Sequence, residues 1–173
     1  MSLARSASAP AALSTAAATL ACCLVLAVTG CASAQTKHAQ HPGDQNIRAL
    51  ARAYVAIAEP ANHRLDVEVD RYDDERHHDL GAAASALRAQ AATERQFDRD
   101  LARIGFPPRI AATARALIRV NEVRARLAWR EAKATSIREL LSFTSAHKMA
   151  DAQVEAEVRV IRSQLGLPPP PTS

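Results

Sequence analysis

The sequence predicts an all-α domain, an antiparallel up-down-up-down four-helix bundle, on three observations. Apolar side chains recur in steps of three and four along four successive stretches, each closed by turn or proline signals. No alternating run of β-branched residues reads as a strand. Hydrophobic residues make up 48% of the chain but aromatic ones only 3%, so the core has to be built from Ala, Leu, Ile and Val. Side chains that small let helices approach closely, and short connections make sequential helices antiparallel neighbours. Beyond the first thirty residues the chain has the length of one domain, enough to bury a real core. No internal repeat suggests a solenoid.

The first helix, about residues 44–76, opens at Gly43-Asp44 with Asp44 as its N-cap. Its stripe is Ile47, Leu50, Tyr54, Ile57, Ala61, Leu65, Val69 and Tyr72. The phase runs straight through Pro60, which predicts one long helix kinked at Glu59-Pro60; the alternative is a break with Pro60 as the first residue of a second helix. The polar cluster Asp73 to Asp79 is the turn into helix two, about 79–104, which carries Leu80, Ala84, Leu87, Ala91, Phe97, Leu101 and Ile104. Gly105 is expected to end it in a left-handed cap, before the stop Phe106-Pro107-Pro108.

Helix three, about 108–134, presents Ile110, Ala114, Leu117, Val120, Val123 and Leu127. Its other face is basic, with Arg109, Arg115, Arg119, Arg126, Arg130 and Lys133 against only Glu122 and Glu131. Ser136-Ile137-Arg138-Glu139 has the spacing of a capping box and starts helix four, about 137–165. That helix has Leu140, Phe143, Ala150, Val154, Val158, Ile161 and Leu165 on one stripe, with an interruption foreseen near Ser142 to Ser145. Gly166 ends the bundle domain, and residues 167–173 form a stiff proline-rich tail.

Ahead of the bundle, a short segment with Arg5 as its only charge precedes an uncharged apolar or small-residue run from Ala11 to Thr29, the layout of an export signal. The run closes on Val28-Thr29-Gly30-Cys31, which resembles the lipobox of bacterial lipoprotein signals. The resemblance implies cleavage between Gly30 and Cys31, removal of residues 1–30 and a diacylglyceryl group on the Cys31 sulfur. It places the mature protein on the extracytoplasmic face of the cell membrane, held by its lipid. In overall texture the chain also resembles uncharacterised alanine- and arginine-rich lipoproteins of high-GC bacteria, a likeness that carries no activity. Cys22 and Cys23 fall in the segment expected to be removed, so Cys31 would be the one surviving thiol and no internal disulfide could form. Residues 31–43 have no apolar period and read as a flexible tether spanning roughly 20 Å.

Enzyme chemistry finds no footing: there is no glycine-rich phosphate loop, no nucleophile with a local signature and no zinc motif. No cofactor is expected. A net charge of +4 would suggest nucleic acid in a cytosolic protein, but export removes that inference. Basic helix three points instead to anionic lipid head groups or wall polymers, or to nothing beyond solubility; the sequence names no particular protein partner. Glu75 and His78 show one E-x-x-H spacing, where di-iron bundles need two such motifs and two more carboxylates, so the metal expectation is none. Glu59, His63, Asp66, Asp70, Asp73 and His77 share a face of helix one opposite its apolar stripe and read as a solvated acidic face. The sharper candidate is a set of polar residues on or beside the apolar stripes: Asn62, Glu94, Asn121, Arg124 and His147. With the helices folded back near 76, 106 and 135, these lie at similar heights. They predict a buried polar layer in which Arg124 satisfies Glu94. Its two readings are a register-fixing network and a small-ligand or metal site in the bundle core. The chain is therefore expected to be a lipid-anchored, non-enzymatic binding or interaction module of the cell envelope.

Overall fold

The computed structural model describes residues 42–170. The expected export signal, the expected Gly30-Cys31 cleavage position, most of the expected tether and the last three residues lie outside the described residues. Helix α1 spans Pro42–Glu75, α2 Leu80–Arg103, α3 Pro108–Glu131, the short α4 Ile137–Leu141 and α5 Thr144–Gln164. No strand occurs among the described residues. Helix α1 packs on α2, α2 on α3 and α3 on α5. Cross-helix contacts fix the directions. The Gln90 amide donates to the Glu68 carbonyl, Asn121 bonds Asp98, and Arg124 reaches Asp151, so each packed pair is antiparallel. The chain is an all-α bundle of four long helices, with α4 as a single turn in the last connection. No helix among the described residues is long and apolar enough to cross a membrane.

Local chemistry accounts for most of the boundaries. Helix α1 begins at Pro42, whose missing N–H costs nothing at a first helical position, so Asp44 lies inside the first turn and is not the cap expected of it. The helix continues unbroken through Pro60. Asp79 caps α2, its carboxylate accepting from the Gly81 and Ala82 amides at 2.8 and 3.0 Å. At the other end of α2 the cap is Ile104 in extended backbone, and Gly105 has no positive φ; the left-handed cap expected there is absent because Pro107-Pro108 already stops the helix.

The Ser136 hydroxyl accepts from the Glu139 amide at 3.2 Å, and the Glu139 carboxylate reaches back to the amide and hydroxyl of Thr135, one residue earlier than a capping box would have it. The fourth stretch is two helices, not one, broken at Ser142-Phe143, where the Ser142 hydroxyl donates to the Glu139 carbonyl. Gly166, at φ 66°, completes a Schellman motif: its amide donates to Ser163, the Leu167 amide to Arg162, and Leu167 packs on the core.

The core comes in two parts. One, at the end holding the start of α1, gathers Tyr54 and Ala58, Leu101, Ile110, Leu117, Val154, Ile161 and Leu165 from all four long helices. Tyr54 meets Phe97 edge to face at 6.3 Å. The other, toward the α2 N-terminus, is narrower and alanine-rich: Ala83, Ala84, Leu87, Ala91, Ala125, Ala128, Ala132 and Leu140, flanked by Tyr72. No residue of α5 belongs to this second core. In α3 the buried stripe after Leu117 is Asn121, Ala125, Ala128 and Glu131, one step around from the expected Val120, Val123 and Leu127, and Val123 is 54% exposed. Likewise Val69 of α1 is exposed, while Ala51 and Ala58, off the expected stripe, are buried beside the expected Tyr54 and Ala61.

Candidate functional site

Between the two cores α2 and α3 carry polar side chains where the apolar stripe would put Leu or Ala. Glu94 and Asp98 lie one turn apart on α2, and Asn121 faces them from α3; all three are buried. The Asn121 amide donates to the Asp98 carboxylate at 3.0 Å and to the Glu94 carbonyl at 3.3 Å, while its oxygen accepts from Arg124 at 3.2 Å. Arg124 Nε stands 2.7 Å from Glu94 Oε1, an ion-pair contact whose N–H is not aligned on the oxygen. A second nitrogen of the same guanidinium reaches Asp151 of α5 at 3.4 Å. The other Glu94 oxygen, Oε2, is buried and accepts no hydrogen bond among the described residues.

Burial and charge compete on these carboxyls. Burial pushes the Glu94 carboxyl up to about 7 against the pull of Arg124, with Asp98 and Asp151 adding to the rise. Burial likewise lifts Asp98 to about 6, although the Asn121 hydrogen bond works the other way. For both groups desolvation outweighs the partners supplied.

A second cluster stands farther along α3. Glu131 is 1% exposed, and Tyr72 of α1 donates to its Oε1 at 2.5 Å. His147 of α5 brings Nε2 within 2.5 Å of Oε2, close but not aligned as a hydrogen bond. Burial, then the bond to Glu131, raises the Tyr72 hydroxyl well above its ordinary range and keeps it a donor. Glu131 thereby joins α1, α3 and α5.

Close packing does not join α1 to α5. Between these helices lies a cavity of about 190 Å³, with Leu65, Val69 and Leu87 as its apolar wall and Tyr72, Glu94, Arg124, Glu131, His147 and Asp151 as its polar one. A smaller cavity of about 80 Å³ continues the seam toward the first core, past Asn62, Leu117 and Val158. Glu94 and Arg124 border both.

Of the five residues read from the stripes, Glu94, Asn121 and Arg124 meet in one network. His147 faces the same cavity but contacts Glu131 instead of that network. Asn62 is exposed at the edge of the smaller cavity and forms no polar contact with the layer, because the buried face of α1 runs through Ala58 and Ala61. Glu75 and His78 lie at the end of α1 and in the following turn, with His78 exposed; no group of three or more His, Cys, Asp or Glu among the described residues can hold a metal ion. The acidic face from Glu59 to His77 is exposed along its length.

Asp98, Glu131 and Asp151 are additions to the expected set. Asp98 follows Glu94 by four and precedes Leu101 by three, a spacing that could have found it; Glu131 continues the Ala125, Ala128 stripe but reads as one of the few acids on a basic face. Asp151, with about half its side chain exposed, carries no such signal. Among known proteins the chain matches no family model, no curated protein and no solved structure.

Proposed function

We propose that the chain is a lipoprotein anchored through Cys31 on the extracytoplasmic face of the cell membrane, and that its helical domain is a non-enzymatic binding module taking a small ligand into the α1–α5 seam. One observation carries the ligand reading: the cavity is floored by buried charged groups from α2 and α3, and one of them, Glu94 Oε2, has no hydrogen-bond partner. A layer serving register alone would pair its polar atoms, because an unmatched buried acceptor costs stability. Here the layer leaves one unpaired among the described residues and borders a space with both apolar and polar walls, the usual make-up of a small-molecule site.

The anchor rests on Val28-Thr29-Gly30-Cys31, and two or more acyl chains make such anchoring stable. Near a membrane, the exposed Arg109, Arg115, Arg119 and Arg130 of α3 and Lys133 in the turn after it suit anionic head groups or wall polymers, and nucleic acid is not a partner in that compartment. Native mass spectrometry of the protein extracted from its own membrane tests the binding reading. A bound small molecule, lost when Leu65→Trp fills the seam, is the expected result. Ligand-free protein, or a ligand that Leu65→Trp leaves in place, refutes it.

A further inference from the structure

Resting on the seam as a binding cavity, we propose that its ligand is a small organic cation, a primary amine or diamine, whose ammonium group donates to Glu94 Oε2 while its carbon chain lies on Leu65, Val69 and Leu87. The charge count points this way. Four carboxylates border the cavity, those of Glu94, Glu131 and Asp151 and the half-exposed Asp73, which pairs with Arg76, against one guanidinium, that of Arg124, and the imidazole of His147.

The hydrogen-bond inventory points the same way. Arg124 spends its nitrogens on Glu94, Asn121 and Asp151; the Tyr72 hydroxyl and His147 Nε2 are both turned to Glu131. Gln90 donates its amide to the Glu68 carbonyl and keeps its own oxygen as an acceptor. Gln90 and Arg124 keep further N–H donors, so the group that sets the preference is Glu94 Oε2, a buried acceptor that no donor among the described residues reaches and that an ammonium group can use. The volume, about 190 Å³, equals roughly six waters at about 30 Å³ each, room for a chain of about six non-hydrogen atoms. A bare metal ion fits less well, since no three ligating side chains converge among the described residues and one wall is apolar.

Binding is linked to pH through Glu94, whose carboxyl stands at about 7 because burial outweighs Arg124. The groups facing it are Asp98 on its own helix, Arg124 and Glu131 from α3, His147 and Asp151 from α5, and Tyr72 and Asp73 from α1. An ammonium ion favours the ionised form, so affinity should be about tenfold weaker at pH 6 than at pH 8.

The test is calorimetry and amide-resonance mapping on the full chain in detergent with 1,4-diaminobutane and butylammonium, matched against butanoate and 1-butanol. The expected result is saturable binding of the amines that shifts resonances of the seam residues. Glu94→Gln should weaken it by about tenfold or more and flatten its pH dependence. Asp151→Asn, at a half-exposed position that does not threaten the fold, should weaken it severalfold. If butanoate or butanol occupies the seam and the amines do not, the ligand class is wrong and the seam reading stands. If none of the four probes shifts a seam resonance, both fall. Amine binding that neither variant changes overturns the placement at Glu94.

Discussion

Lowering the pH from 8 to 5 should stabilise this domain, and Glu94 should be the main reason. Its carboxyl is 3% exposed and is pushed from 4.5 to about 7, burial being the largest cause and Arg124 the largest opposing one. A carboxyl whose folded value lies above its unfolded one holds its proton more tightly in the folded state. Its contribution is fully present below about 4.5 and is lost as pH rises through about 7. At about 1.4 kcal/mol per pH unit the whole shift is worth about 3 kcal/mol, and about 2 to 3 kcal/mol of it falls between pH 8 and pH 5. Asp98, raised from 3.8 to about 6, acts in the same direction with a smaller share in that window.

Carboxyls of the opposite kind act below it. On Glu122 burial is outweighed by Arg126 and Arg95 together, Glu139 is lowered by the Thr135 amide, and both cost stability only under more acid conditions. Urea unfolding of the protein at pH 5, 6.5 and 8 reads the effect as a midpoint that falls with rising pH at constant m. Glu94→Gln should remove most of that fall, leaving the part due to Asp98. A wild-type midpoint that is equal or higher at pH 8, or a Glu94→Gln variant with the full dependence, refutes the argument. A uniform loss at every pH in Glu94→Gln would show instead that the Arg124 pair outweighs the desolvation.

Tyr72→Phe removes one donor from a buried carboxylate and should cost about 1 to 2 kcal/mol by urea midpoint, with hydrogen exchange accelerating at the C-terminal end of α1. Gly166→Ala places a side chain at φ 66° and should cost about 1 kcal/mol by the same measurement, without any clash, since open space surrounds the position. Cys31→Ala should move the protein from the detergent to the aqueous phase or leave it as uncleaved precursor; a variant that still partitions as a lipoprotein rules out this anchor.

The helical architecture was legible because each stretch keeps its apolar phase for several turns, and because Asp79, Ser136, Gly166 and Pro108 are strong local punctuation. What was not legible turns on alanine. In α3 the pattern offers two stripes, one of Val and Leu and one of Ala. The larger residues look like the core, yet Ala125 and Ala128 are the buried ones and Val123 is exposed. Close helix approach selects the small side chains, a tertiary choice that hydrophobicity along one helix does not encode. The same slip hid Glu131, which belongs to the alanine stripe; on α1 the expected Ala61 holds the buried position and leaves its neighbour Asn62 exposed. Glu94 stood out because Leu87, Ala91 and Leu101 fix the phase of α2 around it, and Asn121 and Arg124 because they interrupt or flank either stripe of α3.

The seam itself follows from that alanine packing. At the end of the bundle holding the second core, Ala83, Ala86, Ala91, Ala125 and Ala128 are all but fully buried where α2 meets its neighbours. Interfaces of that kind bring axes to the short end of the roughly 8 to 10 Å range, while larger side chains hold them apart. A fourth helix completing the ring would need small side chains facing α1 at the same height. Helix α5 brings His147 and Asp151 there, and α1 answers with Leu65, Val69 and Tyr72. Side chains of that length and polarity cannot interdigitate into an alanine-like contact. The helices therefore meet through the Tyr72–Glu131–His147 bridge and leave space beneath it. Replacing the charged groups with hydrophobes would remove the desolvation that burdens Glu94 and Asp98, and the chain instead keeps charged groups beside an opening. Stability would favour the apolar alternative, and on the proposed ligand reading the retained charges are the groups that meet what enters.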